Sequence, residues 1–205
     1  MGSAQLAYVS EADYLIGEEL PGPRHEYVDG QIFAMAGATK THGTIALNIG
    51  VALRAQLRGT PCRAWVADMK VSVATARSYY YPDVVATCAE EDLRLDSPQN
   101  FVTAPKLIVE VLSPSTEKTD RREKWLAYRQ LDSLQEYILV DQERQWVEVF
   151  RRAETGWMQE IATAGESIGL SSLGISLALT DIYEDAAVPE VSEQIEAQGS
   201  EPLTE

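Results

Sequence analysis

Two acidic residues of this chain lie where the sequence predicts little access to water. Asp83 stands at the start of the strand-like run PDVVATC (82–88), and Glu110 lies within the run KLIVEVL (106–112). Successive side chains of a strand point to opposite faces, so Glu110 has aliphatic neighbours on both faces, as in a central strand. A buried carboxylate without a partner costs on the order of several kcal/mol. Glu110 therefore requires a cation, a set of hydrogen-bond donors or a proton.

The two carboxylates together favour a divalent cation. If their strands are neighbours, the two charges repel each other unless a cation or a shared proton lies between them. Mg²⁺ fits such a pair because it takes oxygen ligands, keeps several waters and needs one or two protein carboxylates; Mn²⁺ is its expected substitute. This hypothesis requires Asp83 and Glu110 to face each other across adjacent strands. The alternative for Glu110 is a structural ion pair with a nearby Arg or Lys.

Helices and strands alternate along the chain around these two positions. Apolar residues at helical or strand spacing, with turn signals between them, define the elements. The Asp29-Gly30 pair predicts a β-hairpin over residues 24–33, and a capping box of Asp120 with Glu123 predicts the start of the last helix. The predicted helices are 11–17, 45–57 and 120–131, and the predicted strands are 63–67, 69–73, 82–88, 106–112, 136–140, 145–150 and 156–162. This order predicts an α/β fold in which helices flank a mixed central β-sheet, with an additional N-terminal β-hairpin.

Composition and charge limit the function classes. The chain has 205 residues, 45% of them hydrophobic, which suits one domain with a core. Its net charge of −15 opposes non-specific adhesion to nucleic acid or anionic lipid, so a nucleic-acid role has to rely on a local site or bound cations. Residues 186–205 carry five Glu and no Lys, Arg or aromatic residue. We therefore predict a single domain of residues 1–185 followed by a disordered acidic tail.

Sequence features also bear on location. Cys62 and Cys88 are too few for a disulfide framework. The longest apolar runs are far shorter than the roughly 20 residues of a membrane span, and no secretory leader pattern opens the chain. The sequence therefore predicts a cytoplasmic protein without a membrane partner.

Several motifs resemble those of one known family. They are Pro82-Asp83, the run EVLSPST (110–116), Asp120, Lys124, Tyr128, the Glu136-Tyr137 pair and the run HEYVDG (25–30). On these residues the chain, from 14 to 183, resembles the Uma family of predicted restriction endonucleases, within the PD-(D/E)XK, or restriction-endonuclease-like, superfamily. The run EVLSPST with a lysine downstream is the specific part of the match. The resemblance implies a restriction-endonuclease-like core and a metal-dependent phosphodiesterase.

The resemblance also implies roles for individual residues. Asp83, Glu110 and the carbonyl of Val111 would hold Mg²⁺, and a lysine would act on the attacking water and the phosphate. The superfamily pattern places this lysine two positions after Glu110, where the chain has Leu112. In the Uma family the lysine stands on the following helix, where this chain has Lys124.

Spacing leaves alternatives for the lysine and for two weaker candidates. Lys124 is four residues from Asp120, the spacing of an exposed helical ion pair, and Lys70 could instead supply an amine from the sheet. Glu26 would either add a third carboxylate to the metal site or form a cross-strand pair in the hairpin. His42 is expected to cap or pack the helix that follows it rather than act as a base.

The sequence thus predicts a Mg²⁺-dependent endonuclease that hydrolyses nucleic-acid phosphodiester bonds, with DNA as the expected substrate. Duplex cleavage requires two active sites, and a homodimer is one arrangement that supplies them. The scattered Cys and His residues give no zinc spacing, and no Gly-rich phosphate loop occurs. The alternative is a catalytically inactive nuclease-fold protein that binds a partner or regulates, which the acidic charge and the missing sheet lysine favour.

Overall fold

Two large β-sheets and the helices around them make up most of the computed structural model, which describes residues 8–35 and 37–190. In chain order its strands are β1 (His25–Val28), β2 (Gln31–Ala34), β3 (Arg63–Val66), β4 (Lys70–Val73), β5 (Ser78–Tyr80), β6 (Val84–Thr87), β7 (Phe101–Val102), β8 (Leu107–Leu112), β9 (Glu136–Asp141), β10 (Trp146–Ala153), β11 (Gly156–Thr163), β12 (Ser167–Leu170) and β13 (Ile175–Ala178).

The helices lie between and around these strands. They are α1 (Glu11–Glu18), α2 (Lys40–Gln56), α3 (Glu90–Leu93), α4, and α5 (Leu179–Ile182), with a 3₁₀ turn at Ala74–Ala76. Helix α4 has three consecutive parts, the α-helical turns Glu117–Thr119 and Trp125–Tyr128 and a π-helical stretch, Asp120–Lys124, between them. No helix of the described residues is long and apolar enough to cross a membrane.

The central sheet has six strands in the order β11-β10-β9-β8-β6-β3. Strands β8 and β9 are parallel, and every other neighbouring pair in this sheet is antiparallel. The predicted mixed central sheet flanked by helices is therefore confirmed. All six residues of β8 are buried, which explains its nearly continuous apolar run.

The predicted hairpin is confirmed as the edge of a second sheet, with the order β2-β1-β5-β4-β7. At its turn, Asp29 and Gly30 both have positive φ, 43° and 92°, as a type I′ turn requires. The sequence patterns did not predict β5 and β7, which have three and two residues, because such short runs show no alternation.

The central sheet separates two apolar cores. One face packs against α2 and α5, and the other packs against the five-stranded sheet and α4. Along β8, Val109 and Val111 point to the first face, whereas Ile108 and Leu112 point to the second. Glu110 alternates with Val109 and Val111, so its side chain points to the second face, beneath α4.

Helix α4 begins earlier than the sequence predicts. Its first turn starts at Glu117, whose N–H donates to the Ser113 carbonyl (2.9 Å). Asp120 is therefore inside the helix, and the predicted capping box with Glu123 is wrong. The π-helical stretch buries both Asp120 and Lys124. Such insertions are frequent at functional sites, and this one turns two charged side chains inward.

Cys62 and Cys88 are joined by a disulfide. They flank the antiparallel β3–β6 pair, in which Arg63 lies opposite Thr87, so the bond closes one end of that ladder. The cysteine count excludes a framework of several disulfides but does not reveal that these two residues are neighbours. Disulfides are rare in reducing compartments, so this bond is unusual for a cytoplasmic protein. The cytoplasmic location stays a prediction.

The domain extends past its predicted C-terminal boundary. Ala186 is buried, and Val188 packs against the core that contains α2. Gln145 donates from its backbone to the Pro189 carbonyl (3.1 Å) and from its side chain to the Val188 carbonyl (3.3 Å). The predicted start of a disordered tail at Ala186 is therefore too early, because packing outweighs composition there. The rest of the predicted tail, 191–205, lies outside the described residues.

A chain that ends at Asp185 should be less stable than one that ends at Glu190. The shorter chain loses the burial of Ala186 and Val188 and the two hydrogen bonds that Gln145 donates. We expect its free energy of unfolding to be lower by about 2 kcal/mol, as measured by urea denaturation of the two truncated chains. Equal stabilities would mean that these five residues contribute no packing.

Helix α1 is anchored to the second sheet through the buried carboxylate of Glu18. It accepts hydrogen bonds from the Tyr81 hydroxyl (2.7 Å) and the His25 N–H (3.3 Å), and it lies 3.0 Å from His25 Nδ1. Burial raises the pKa of Glu18, but the hydrogen bonds from Tyr81 and His25 outweigh it and lower the pKa below its usual value. Folding therefore favours the ionised form of this side chain.

Glu18→Gln should reduce the free energy of unfolding by about 2 kcal/mol at neutral pH, and the difference should shrink in acid. A carboxylate with a lowered folded pKa contributes stability above its unfolded pKa, about 4.3, and loses it as pH falls through the folded value. Urea denaturation of both proteins at about pH 6 and about pH 3 measures the change. The same difference at both pH values would contradict an ionised Glu18.

Candidate active site

Asp83 and Glu110 lie at the end of the β6–β8 pair. This antiparallel pair ends with Val84 opposite Val109, and Asp83 and Glu110 are the next residues beyond it. The Asp83 Oδ2 atom also accepts a hydrogen bond from the Val111 N–H at 2.7 Å. Asp83 thus lies beside β8 at the end of the pair, with its carboxylate bound to the backbone next to Glu110.

Helix α4 supplies the partners of Glu110, whose residue is 2% exposed. Its Oε1 atom accepts hydrogen bonds from the Lys124 ammonium and the Tyr128 hydroxyl, both at 3.2 Å. The amine that Leu112 does not supply from the strand therefore reaches Glu110 from the next helix. Glu110 therefore forms the ion pair that the sequence analysis considered as an alternative. Its partner is Lys124, the lysine to which the family resemblance assigns a catalytic role.

The Lys124 ammonium contacts carboxylates from three elements. Its Nζ atom lies 3.2 Å from Glu110 on β8, 3.0 Å from Glu26 on β1 and 3.1 Å from Asp120 on α4. Each of these four side chains is at most 15% exposed. The Asp120–Lys124 pair predicted from helical spacing is therefore present but buried, where solvent does not screen it as at a surface.

Glu26 reaches this cluster from the second sheet. In the hairpin it lies opposite Phe33, so the predicted alternative, a cross-strand pair with a cation, is absent at that register position. Its carboxylate accepts a hydrogen bond from the Tyr81 N–H (3.3 Å) and contacts Lys124. The sequence could not decide between the alternatives, because this contact depends on how the two sheets pack.

Asp120 is a site residue that the sequence analysis treated only as a motif residue, a helix start and an ion-pair partner. The residue is 1% exposed, and its Oδ1 atom lies 3.1 Å from the Lys124 ammonium without hydrogen-bond geometry. This atom has no hydrogen-bond partner among the described residues. The only signal in the sequence is the four-residue spacing to Lys124, which does not distinguish a buried pair from an exposed one.

His42 contacts Asp83 from the first turn of α2, which the sequence analysis did not expect. The N-cap is Thr39, whose hydroxyl accepts from the His42 N–H (3.1 Å). The ring Nε2 of His42 lies 3.2 Å from Asp83 Oδ2. Burial lowers the pKa of His42, but the hydrogen bond and the charge of Asp83 outweigh it and raise the pKa. His42 is thus a second group that holds the Asp83 carboxylate.

Lys70 lies away from this cluster. It alternates along β4 with Val71 and Val73, which face the core beneath α4, so its side chain points to the other side of the five-stranded sheet. It forms no ion pair with any carboxylate of the described residues. Lys124, and not its rival Lys70, is the amine beside Glu110.

The cluster carries more negative than positive charge. Burial, with the charges of Asp120, Asp83 and Glu26, raises the pKa of Glu110 well above its usual value, and the attraction of Lys124 offsets only part of this. Burial lowers the pKa of Lys124, but its three carboxylate neighbours outweigh it and raise the pKa well above the usual value. Lys124 is therefore held as an ammonium, and the site favours a further cation or a proton.

The donor set suits a hard divalent cation. No group of three or more Asp, Glu, His or Cys side chains in residues 8–35 and 37–190 is arranged to hold a metal by itself, and the Lys124 ammonium lies among three of the carboxylates. Mg²⁺, however, needs one or two carboxylates, a carbonyl and several waters. Asp83, Glu110 and the Val111 carbonyl are groups of that kind, and Asp120 Oδ1, which accepts no hydrogen bond from the described residues, is a further buried acceptor. The residues therefore fit the predicted cation.

The chain is similar in sequence to known proteins. A family model described as "Uma2: Putative restriction endonuclease" matches residues 11–180. Two proteins of Synechocystis sp. strain PCC 6803, both described as uncharacterized, are similar in sequence. The protein slr1290 is 35% identical over 186 residues, which cover 90% of this chain and 96% of that protein. The protein sll1609 is 37% identical over 139 residues, 68% of this chain and 78% of that protein.

A solved structure shares the fold. It is described as a putative nuclease belonging to DUF820 from Anabaena variabilis ATCC 29413, and it matches with a TM-score of 0.71 at 19% sequence identity. The match covers 87% of this chain and 99% of that one. The predicted restriction-endonuclease-like core is therefore confirmed.

Lys124→Met should reduce the free energy of unfolding by about 3 kcal/mol, because it leaves buried carboxylates without their cation. Adding Glu110→Gln should recover part of this loss, with a coupling energy above about 1 kcal/mol in a double-mutant cycle. Urea denaturation of the wild type, both single variants and the double variant measures it.

Lys118→Met, a change at an exposed lysine of the same helix, is the matched control and should change stability by less than about 0.5 kcal/mol. Additive effects of Lys124→Met and Glu110→Gln would show that the two side chains do not interact.

Proposed function

Since the chain belongs to the Uma2 family of restriction-endonuclease-like proteins, we propose that it is a metal-dependent endonuclease that hydrolyses phosphodiester bonds of nucleic acid, with DNA as its substrate. The observation that carries the proposal is the contact of the Lys124 ammonium with Glu110, whose neighbour Val111 donates its N–H to the carboxylate of Asp83. Two carboxylates for a cation and one amine for the phosphate are the groups that this chemistry requires.

In this proposal Asp83, Glu110 and the Val111 carbonyl hold Mg²⁺ or Mn²⁺. The bound ion would polarise the scissile phosphate and make a coordinated water more acidic. The Val111 N–H and the His42 ring both contact Oδ2 of Asp83, so the orientation of that carboxylate is fixed before any ligand binds. Such fixed groups need little rearrangement during the reaction.

Lys124 provides positive charge rather than a base. Its three carboxylate neighbours hold the proton on the ammonium, so we assign it the stabilisation of negative charge that develops on the phosphate. Glu26 and Asp120 are positioning residues, because they contact Lys124 and hold its ammonium next to Glu110. The four predicted catalytic residues therefore have three roles. Asp83 and Glu110 are cation ligands, Lys124 stabilises negative charge, and Glu26 positions Lys124.

Substrate affinity has to come largely from this site. The chain is strongly acidic overall, and the Arg121 side chain on α4 is already paired with Glu117 and Glu148, both at 2.8 Å. Lys118 and Arg122 of the same helix are exposed and form no ion pair with the described residues, so they are the cations on α4 that would contact the phosphate backbone, the usual source of affinity for nucleic acid. For duplex cleavage we propose that a homodimer supplies two such sites, and sedimentation at the assay concentration tests this.

The second candidate function is a nuclease-fold protein that binds a partner without cleavage. Leu112 in place of the sheet lysine and the net charge of −15 favour it. Calorimetry with Mg²⁺ or Mn²⁺ separates the candidates only together with a cleavage assay, because a protein that has lost catalysis can still keep the cation ligands.

The purified protein should cleave plasmid, linear duplex or single-stranded DNA only when Mg²⁺ or Mn²⁺ is present, with RNA as a parallel substrate. Asp83→Asn should abolish cleavage and weaken Mn²⁺ binding, because it removes a cation ligand. Lys124→Met should reduce the cleavage rate at least about a hundredfold with Mn²⁺ affinity largely kept. Cleavage rates and calorimetric affinities measured on the same preparations check both effects.

Asp96→Asn, at an exposed carboxylate paired with Arg94, is the control and should cleave at the wild-type rate. Mn²⁺ binding without cleavage of any substrate would favour the non-catalytic candidate. Absence of both binding and cleavage in the wild type would refute the proposed metal site. Wild-type cleavage by the folded Lys124→Met variant would remove the role assigned to Lys124.

A further inference from the structure

A cavity of about 710 Å³ lies on the side of the five-stranded sheet that faces away from the active site. Lys70 of β4 and its register partner Phe101 of β7 form part of the sheet wall. Helix α1 forms the opposite wall with Leu15 and Glu18. A volume of this size is in the range of small-molecule sites.

Lys70 is the unusual group in this cavity. The residue is only 6% exposed, yet its ammonium makes no hydrogen bond and no ion pair with the described residues. Its one specific neighbour is the ring of Tyr81, whose centroid lies 5.5 Å from Nζ. Lys124 differs, because its ammonium is enclosed and has three carboxylate partners. The Lys70 Nζ atom is not among the fully buried polar atoms that lack a partner in the described residues, so the ammonium opens onto the cavity, where an anion can reach it.

Three acidic side chains line the cavity, Glu18, Glu19 and Asp68, and none of them forms an ion pair with Lys70. Glu19 is exposed. Glu18 is already bound by the Tyr81 hydroxyl and by His25. Asp68 is 79% exposed and lies 3.7 Å from Arg24, so its charge is at the solvent rim. Burial lowers the pKa of Lys70, with partial opposition from Glu18, as expected for an ammonium that lacks a close counter-ion.

We propose that this cavity binds a nucleotide through its phosphate group, with the Lys70 ammonium at depth and the Arg24 guanidinium at the rim as the anion partners. Arginine suits phosphate because its planar fork donates two parallel hydrogen bonds. The aromatic rings of Phe101 and Tyr81 line the same cavity and offer contact to a base, and the amide side chains of Gln99 and Asn100 offer donors and acceptors. The ligand is a free mononucleotide or the 5′-phosphorylated end of a nucleic-acid strand.

Calorimetry without divalent metal tests the site independently of cleavage. The probes are adenosine 5′-monophosphate, adenosine, inorganic phosphate, and a short oligonucleotide with and without a 5′-phosphate. We expect adenosine 5′-monophosphate to bind at least about tenfold more tightly than either adenosine or inorganic phosphate. Tighter binding of the phosphorylated oligonucleotide than of the mononucleotide would assign the site to strand ends, and the reverse order to free nucleotides.

Lys70→Met should weaken nucleotide binding at least about tenfold while its Tm stays equal to or above that of the wild type, because no ion pair or hydrogen bond of the described residues is lost. Arg24→Met should weaken binding without loss of folding, since this side chain is 41% exposed. Lys118→Met, at an exposed lysine outside the cavity, is the control and should bind adenosine 5′-monophosphate as the wild type does.

Three results would overturn the proposal. One is equal affinity of the wild type for adenosine 5′-monophosphate and for adenosine or inorganic phosphate. Another is unchanged nucleotide binding by Lys70→Met. The third is a fall in the Tm of Lys70→Met as large as that of Lys124→Met, which would make Lys70 a paired structural cation. None of these results depends on nuclease activity or on the metal site.

Discussion

The buried ammonium of Lys124 is the interaction on which the site depends. Its three carboxylate partners come from β1, β8 and α4, so one charge connects both large sheets with the helix between them. Each of those carboxylates is so buried that ionisation without a nearby cation would cost folding free energy. The cation therefore does two things together: it makes the acidic cluster compatible with folding, and it fixes the amine beside Glu110.

This arrangement also explains why the lysine is not on the strand. On β8 the position two residues after Glu110 is Leu112, which belongs to the apolar core beneath α4. The π-helical stretch Asp120–Lys124 instead turns a helix residue inward at the same place. The chemistry requires an ammonium near the carboxylates, and it does not specify from which element the side chain comes. Because the lysine is on the helix, the positive charge near the carboxylates is kept, and the strand position is free for a residue that packs in the core.

Part of this site could be predicted from the sequence and part could not. Period-two alternation is sufficient to isolate Glu110 and to place Asp83 at the start of a strand, because each signal lies within a single strand. That the two strands are neighbours is a tertiary fact. The contact of Glu26 with Lys124 depends on the packing of two sheets, and the contact of His42 with Asp83 depends on where α2 begins relative to β6. Neither leaves a local pattern.

The same limit applies to the fold. Long alternating strands and the Asp29-Gly30 turn are predicted well, whereas the strands of two or three residues, β5 and β7, carry too few residues to show a period. Two further short strands, β12 and β13, were also missed. Composition alone placed the end of the domain too early, because Ala186 is a small residue whose burial has no compositional signal. Errors of this kind arise wherever tertiary contacts decide the outcome.

The two buried lysines show how far residue type alone can be interpreted. Lys70 and Lys124 have the same side chain, nearly the same exposure, and positions on opposite sides of the five-stranded sheet. Carboxylates raise the pKa of Lys124 and secure its charge, whereas burial lowers the pKa of Lys70, which has no such partner. A charge that is compensated within the protein stabilises the fold, and one that is not compensated there costs stability until a ligand supplies the counter-ion. The surroundings of each ammonium therefore decide its role: Lys124 organises the active site, and Lys70 is the proposed binding group for an anion.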